Sequence, residues 1–117
     1  IKYIEKHQLV ENAAHQGGYL IERLKKLKDK HPLIGHVAGV GLHIGIDLVK
    51  NRKTKERAIE EAEMIMYRCL EKGLAFKTIE GNIITLRPAL TINREELDLA
   101  IDVIDETIGE IEQGYQN

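Results

Sequence analysis

The sequence predicts an α+β domain in two layers: a small, mostly antiparallel three-stranded sheet with helices packed on one face. Three observations predict it. Apolar residues recur at three-or-four spacing in three separate stretches, the mark of one-sided helices. Residues 37–49 alternate apolar with small or polar for their whole length, the mark of a strand. The tripeptide Glu80-Gly81-Asn82 joins two short apolar runs closely enough to make them an antiparallel hairpin. The order helix, strand, helix, strand, strand, helix then fits a two-layer packing around one core.

Residues 1–30 read as helix, with Val10, Ala13, Gly17, Leu20, Ile21, Leu24 and Leu27 on one face and a weak break near His7 and Gln8. Lysines 25, 26, 28 and 30 sit where the helix dipole favours positive charge, and Pro32 ends the element. In the strand at 37–49, Ala38, Val40, Leu42, Ile44, Ile46 and Leu48 form the apolar face. The other face carries Gly39, Gly41 and Gly45. Glycine weakens a strand, so either another backbone approaches closely there or the strand is bulged with a solvated back.

A polar loop at 51–55 leads into a helix at 56–72, with Ile59, Ala62, Met66, Cys69 and Leu70 inward and Gly73 as its left-handed cap. Strands at 74–79 and 83–87 follow, and Pro88 stops the pairing. Asn93 and Glu96 have the spacing of a capping box. Leu97, Ala100, Ile101, Ile104, Ile108 and Ile111 then line one face of the last helix, which Gly114 closes.

Length and charge narrow the function. At 117 residues the chain is one domain, residues 1–117. Its 17 Lys and Arg against 19 Asp and Glu give no basic excess of the kind that nucleic acid or an anionic membrane selects. No apolar run approaches the ~20 residues of a membrane span. Cys69 is the only cysteine, so an internal disulfide is impossible, which fits a cytoplasmic setting. The first residues do not resemble a signal peptide and there is no initiator Met. The chain opens on a helix already under way, which predicts a piece of a longer protein. A processed, complete protein is the alternative.

Chemistry is sparse. There is no Ser, and Cys69 falls on an inward helix face, where a structural thiol is expected. His7, His15, His31, His36 and His43 show neither an i,i+4 pair nor zinc-like spacing, so no metal site is expected. His43, on the glycine-bearing strand face, is either an interface residue or a solvated one. Glu60, Glu61, Asp102, Asp105 and Glu106 read as solvated charge on helix faces. The glycines at 39, 41 and 45 lie inside a strand and miss the spacing of a dinucleotide loop. Arg87 remains. It ends a hairpin strand, with Thr85 two residues back on the same side. It either grips a carboxylate through two parallel hydrogen bonds or sits in a rim salt bridge.

Taken in order, these segments resemble class III aminotransferases of the 4-aminobutyrate and ornithine type. Gly39-Val40-Gly41-Leu42-His43-Ile44-Gly45-Ile46-Asp47-Leu48 is similar to that family's glycine-rich strand. Residues 81–92, with Arg87-Pro88-Ala89-Leu90, resemble its strand ending in Pro-Pro-Leu, and the acidic start Glu95-Glu96-Leu97-Asp98 follows as in the family. The opening residues 4–12 are also similar. The resemblance implies fold type I, a homodimer, and transfer of an amino group from an amine or ω-amino acid to a 2-oxo acid on pyridoxal 5'-phosphate, whose ring is the electron sink.

It also implies that the Schiff-base lysine and the cofactor site belong to a large domain outside these residues. The chain alone is then expected to bind no cofactor, to supply no catalytic group and to be inactive. Many family members lend a substrate-binding arginine from this strand. Its matching position here is Thr85, with Arg87 nearby, about 7 Å further along the same side. The family's frequent arginine before the first strand glycine is Ala38. These departures leave a racemase, lyase or decarboxylase of the same superfamily as alternatives. A free-standing α+β binding or assembly module, with the glycine-rich face as its partner surface, is the reading from a different class. The sequence upstream of Ile1 separates the two.

Overall fold

A computed structural model describes residues 2–40, 43–88 and 92–114. Helix α1 spans Lys2–Lys30, followed by strands β1 (Ile34–Val40), β2 (His43–Asn51) and β3 (Glu56–Arg57). Helix α2 (Ile59–Glu71), strands β4 (Lys77–Ile79) and β5 (Ile83–Leu86), and helix α3 (Arg94–Glu112) complete the chain. The sheet has five strands, in the order β1-β2-β5-β4 with β3 pairing onto β2, and every pairing is antiparallel. The α+β class and the antiparallel sheet are as the sequence predicts. The strand count is five, not three.

The long alternating run accounts for most of that difference. It is two strands folded back on each other, with Val40 opposite His43 and Gly39 opposite Ile44. Gly41 and Leu42 lie outside the described residues. The fold-back also moves Ala38. It is exposed and pairs with Gly45, on the face opposite to buried Ile44, Ile46 and Leu48. Gly35 is the extra residue where the β1–β2 register shifts.

Val37, Ile44, Ile46, Leu48, Ile84 and Leu86 are buried on one sheet face. Helices α1 and α2 cover that face, and α3 packs on both of them. Leu20, Leu24 and Leu27 of α1, Ala62 and Ile65 of α2, and Leu97, Ile101, Ile104 and Ile108 of α3 join the same core. Each large aliphatic side chain removed from water there stabilises by roughly 1.5–3 kcal/mol before chain entropy is counted.

Two expectations about helices change. Helix α1 is continuous through His7 and Gln8. In α2 the buried residues are Ala62, Ile65 and Cys69, while Ile59 and Leu70 are 47% and 56% exposed. The face pressed against α3 and the sheet is narrower than the apolar composition suggests, so residues at its edges turn outward.

Two local devices fix the connections. At the β4–β5 turn Glu80 and Gly81 both have positive φ, a conformation that glycine adopts without strain. The turn is tied down by Asn82, which is 2% exposed. Its amide donates to Asp47 Oδ1 at 2.7 Å and to the Leu48 carbonyl at 2.9 Å. At the start of α3 the Asn93 side chain accepts from Glu96 N at 2.8 Å, and Glu96 Oε1 accepts from Asn93 N at 3.1 Å. The capping box is formed as the spacing predicts. Asn93→Ala is expected to cost about 1 kcal/mol. Urea unfolding of the variant checks this, and an unchanged midpoint would refute a stabilising cap.

Candidate functional site

The uncovered sheet face is built by cross-strand pairing. Ala38, Gly45, Thr85 and Lys77 form one row, and His36, Asp47, Ile83 and Ile79 the next. Arg87 lies one step beyond β5 on the same side as Thr85, and the register of β2 with β5, continued, sets it opposite His43. Both Arg87 and His43 are exposed. Thr85 is thus held between strands on both sides, Lys77 is on the edge strand β4, and Arg87 follows directly on the paired end of β5.

Arg87, Thr85 and Lys77 border a cleft of about 630 Å³ whose other walls include Phe76 and Ile79. Among the described residues no carboxylate lines it. Among the described residues no hydrogen bond or ion pair engages the Arg87 guanidinium, so the rim salt bridge is not what the structure contains. Its five N–H donors are free for a planar oxyanion. Thr85 is engaged: its hydroxyl donates to the Lys77 carbonyl at 2.9 Å. It therefore braces the hairpin. Ala89, Leu90 and Thr91, which carry the rest of the family-like motif, lie outside the described residues.

Lys77 was not singled out from the sequence. The signal was available: a hairpin centred on Gly81 places residue 77 opposite residue 85.

A second polar cluster joins α1 to α3. His31 is 3% exposed, with Nδ1 2.6 Å from Glu112 Oε1 and Nε2 2.5 Å from Asp105 Oδ1. Lys30 reaches Asp105 Oδ2 at 3.0 Å, Glu112 Oε2 accepts from Leu33 N at 3.0 Å, and Arg52 donates to the His31 carbonyl at 2.9 Å. Burial alone would raise the Asp105 carboxyl, but the bonds from His31 and Lys30 outweigh it and hold it below its ordinary value. Asp105 is thus a partner in a buried clamp and not the solvated charge that its helix position suggests.

The remaining candidates are structural. Burial pushes the Cys69 thiol up, against an opposing hydrogen bond with Thr107, which makes it a poor nucleophile. Among the described residues no group of three or more His, Cys, Asp or Glu is placed to hold a metal, and no helix is long and apolar enough to cross a membrane.

A covalent amine cofactor site needs a lysine that spends time neutral, which desolvation promotes. None of the lysines from Lys25 to Lys77 is buried. Lys30, Lys50 and Lys72 face carboxylates. Burial would pull Lys72 down, but Glu110 and Glu106 more than offset it and hold it above its usual value. None of these three lysines has the desolvated, uncompensated environment that such a site needs.

The fold superposes on part of solved transaminase structures. Residues 1–108 match the family Aminotransferase class-III, and the chain belongs to that family. It is 43% identical over 114 residues to a leucine/methionine racemase of Thermococcus litoralis, covering 97% of this chain and 26% of that protein. It is 37% identical over 116 residues to an (R)-1-hydroxy-2-aminoethylphosphonate ammonia-lyase of Vibrio splendidus, covering 99% of this chain and 24% of that one. Among solved structures, a transaminase from the marine bacterium Virgibacillus superposes with a TM-score of 0.88 at 30% identity, over 98% of this chain and 27% of that one. The chain thus spans about a quarter of the length of the proteins it matches. Membership implies a pyridoxal-phosphate enzyme of that superfamily.

Proposed function

We propose that this chain is the small substrate-side domain of a pyridoxal-phosphate enzyme, a cytoplasmic homodimer, that moves an amino group from an amine or ω-amino acid, 4-aminobutyrate-like, to a 2-oxo acid. In this reading the large domain supplies the lysine and the cofactor, and this chain supplies Arg87, with Thr85 beside it on the same strand face, for the substrate carboxylate. The observation that carries it is the free Arg87 guanidinium at the end of a paired strand, on the sheet face that none of the described helices covers. A guanidinium so placed fixes the far end of a substrate while the amino group reacts elsewhere.

Arg87→Ala in the full-length enzyme is expected to lower kcat/KM for carboxylate substrates by about 2 kcal/mol, roughly thirty-fold. An amine without a carboxylate should react as before. Equal losses with both substrates, or none with either, would remove Arg87 from the site.

A second reading is favoured by the 43% identity to a racemase: the enzyme inverts an amino acid instead of passing its amino group on. The two readings share the site and differ in product. A single amino-acid enantiomer incubated without a 2-oxo acid becomes a mixture of enantiomers in the racemase case. In the transaminase case it yields at most one equivalent of 2-oxo acid per active site.

A further inference from the structure

The cleft beside Arg87 holds more positive charge than one carboxylate needs. Lys77 stands opposite Thr85 on the neighbouring strand, and Arg87 is two residues along from Thr85 on the same face. Lys77 and Arg87 are thus diagonal neighbours across the β4–β5 pair, with Cβ atoms roughly 7–8 Å apart, within reach of one small ligand between long side chains. Both line the cleft, both are exposed, and among the described residues no carboxylate lines it. Among the described residues neither cation is in an ion pair, whereas Glu80 in the adjoining turn is taken by Arg57 at 3.5 Å, and Asp47 in the next row is bonded to Asn82.

Two like charges on neighbouring strands repel, and an anion held between them relieves that repulsion. A carboxylate satisfies the guanidinium fork alone and leaves the ammonium without a counter-charge. A tetrahedral oxyanion with two negative charges offers oxygens to both. Thr85 donates to the Lys77 carbonyl, so it spaces and stiffens the pair. Phe76 and Ile79 wall the cleft with apolar surface, which lowers the local dielectric and strengthens the charge contacts.

We infer that Lys77 and Arg87 form a two-cation subsite for a dianionic substrate tail, a phosphonate or phosphate group, and that Lys77 sets the preference for two charges over one. This inference rests on the placement of Arg87 at the substrate carboxylate proposed above.

The test is calorimetric titration of the full-length enzyme with ethylphosphonate and with propanoate at mildly alkaline pH, where the phosphonate carries both charges. Neither probe has an amino group, so neither reacts. The wild-type enzyme is expected to bind ethylphosphonate roughly ten-fold more tightly than propanoate. Lys77→Met should erase that preference by weakening ethylphosphonate far more than propanoate, while Arg87→Ala should weaken both probes. No preference in the wild type, or a preference that survives Lys77→Met, overturns the subsite. Arg87→Ala leaving both probes unaffected overturns the carboxylate reading as well, so the two failures are distinct.

Discussion

His31→Ala is expected to destabilise the folded chain by about 3 kcal/mol, in the range set by removing one partner from a buried ion cluster. The substitution opens a cavity between the end of α1 and α3. It also leaves two carboxylates, Asp105 and Glu112, facing each other without the ring that separates them. Their side chains are 26% and 19% exposed, so water reaches them in the variant and holds the loss below that of a fully buried pair. The loss should appear as a fall in Tm of roughly 10–20 °C by circular dichroism. It should change little with salt, because buried charges are weakly screened.

The acid side of the stability curve should change too. The Asp105 carboxyl is held below its unfolded value of 3.8. Its contribution is therefore present above that pH and is lost as pH falls through the lower folded value. Without His31 the carboxyl moves up and the acid-side slope flattens. A loss under about 1 kcal/mol would mean that the clamp does not hold the two helices together.

How much of this was legible follows the range of each interaction. The capping box of α3 joins Asn93 to Glu96, three residues away, and a local pattern is enough to read it. Gly81 in a three-residue turn and Arg87 at a strand end are local too, so the hairpin and the candidate site residue could both be placed from sequence. The His31 clamp could not. Asp105 and Glu112 lie 74 and 81 residues from His31, and on a bare helical projection Asp105 falls with the solvated carboxylates around it. Only the approach of α1 to α3 turns it into a partner. The exposure of Ile59 and Leu70 has the same origin: period gives the direction of the apolar face, and the neighbouring helix decides its width.

The β1–β2 hairpin was illegible for a different reason, and it yields the second large effect. The segment Gly39-Val40-Gly41-Leu42-His43 contains no Asn, Asp or Pro to announce a turn, and period-two alternation runs through it unbroken. The glycines are the trace of the fold-back, and they do not share one cause. A Cβ on Gly39 would lie 2.6 Å from the His43 carbonyl oxygen and 3.0 Å from Ile44 Cα, both backbone atoms of the partner strand that cannot swing aside. A Cβ on Gly45 would meet only a methyl of Ile83 at 3.4 Å, an ordinary contact. The close approach at Gly39 is thus made by the chain's own second strand, and Gly45 is small without a steric need inside this chain.

Gly39→Val is accordingly expected to cost about 3 kcal/mol, the upper end for forcing atoms into a packed site, because relief requires β1 to part from β2. Gly45→Ala should stay within about 0.5 kcal/mol of wild type. Urea unfolding of both variants gives the free energies. Amide exchange across His43–Asn51 tells whether the loss in Gly39→Val is concentrated in the β1–β2 ladder. Equal effects from the two substitutions would show that the hairpin does not hold Gly39 against its partner strand. The uncovered face that carries Arg87 and Lys77 would then lose the β1 edge of its frame.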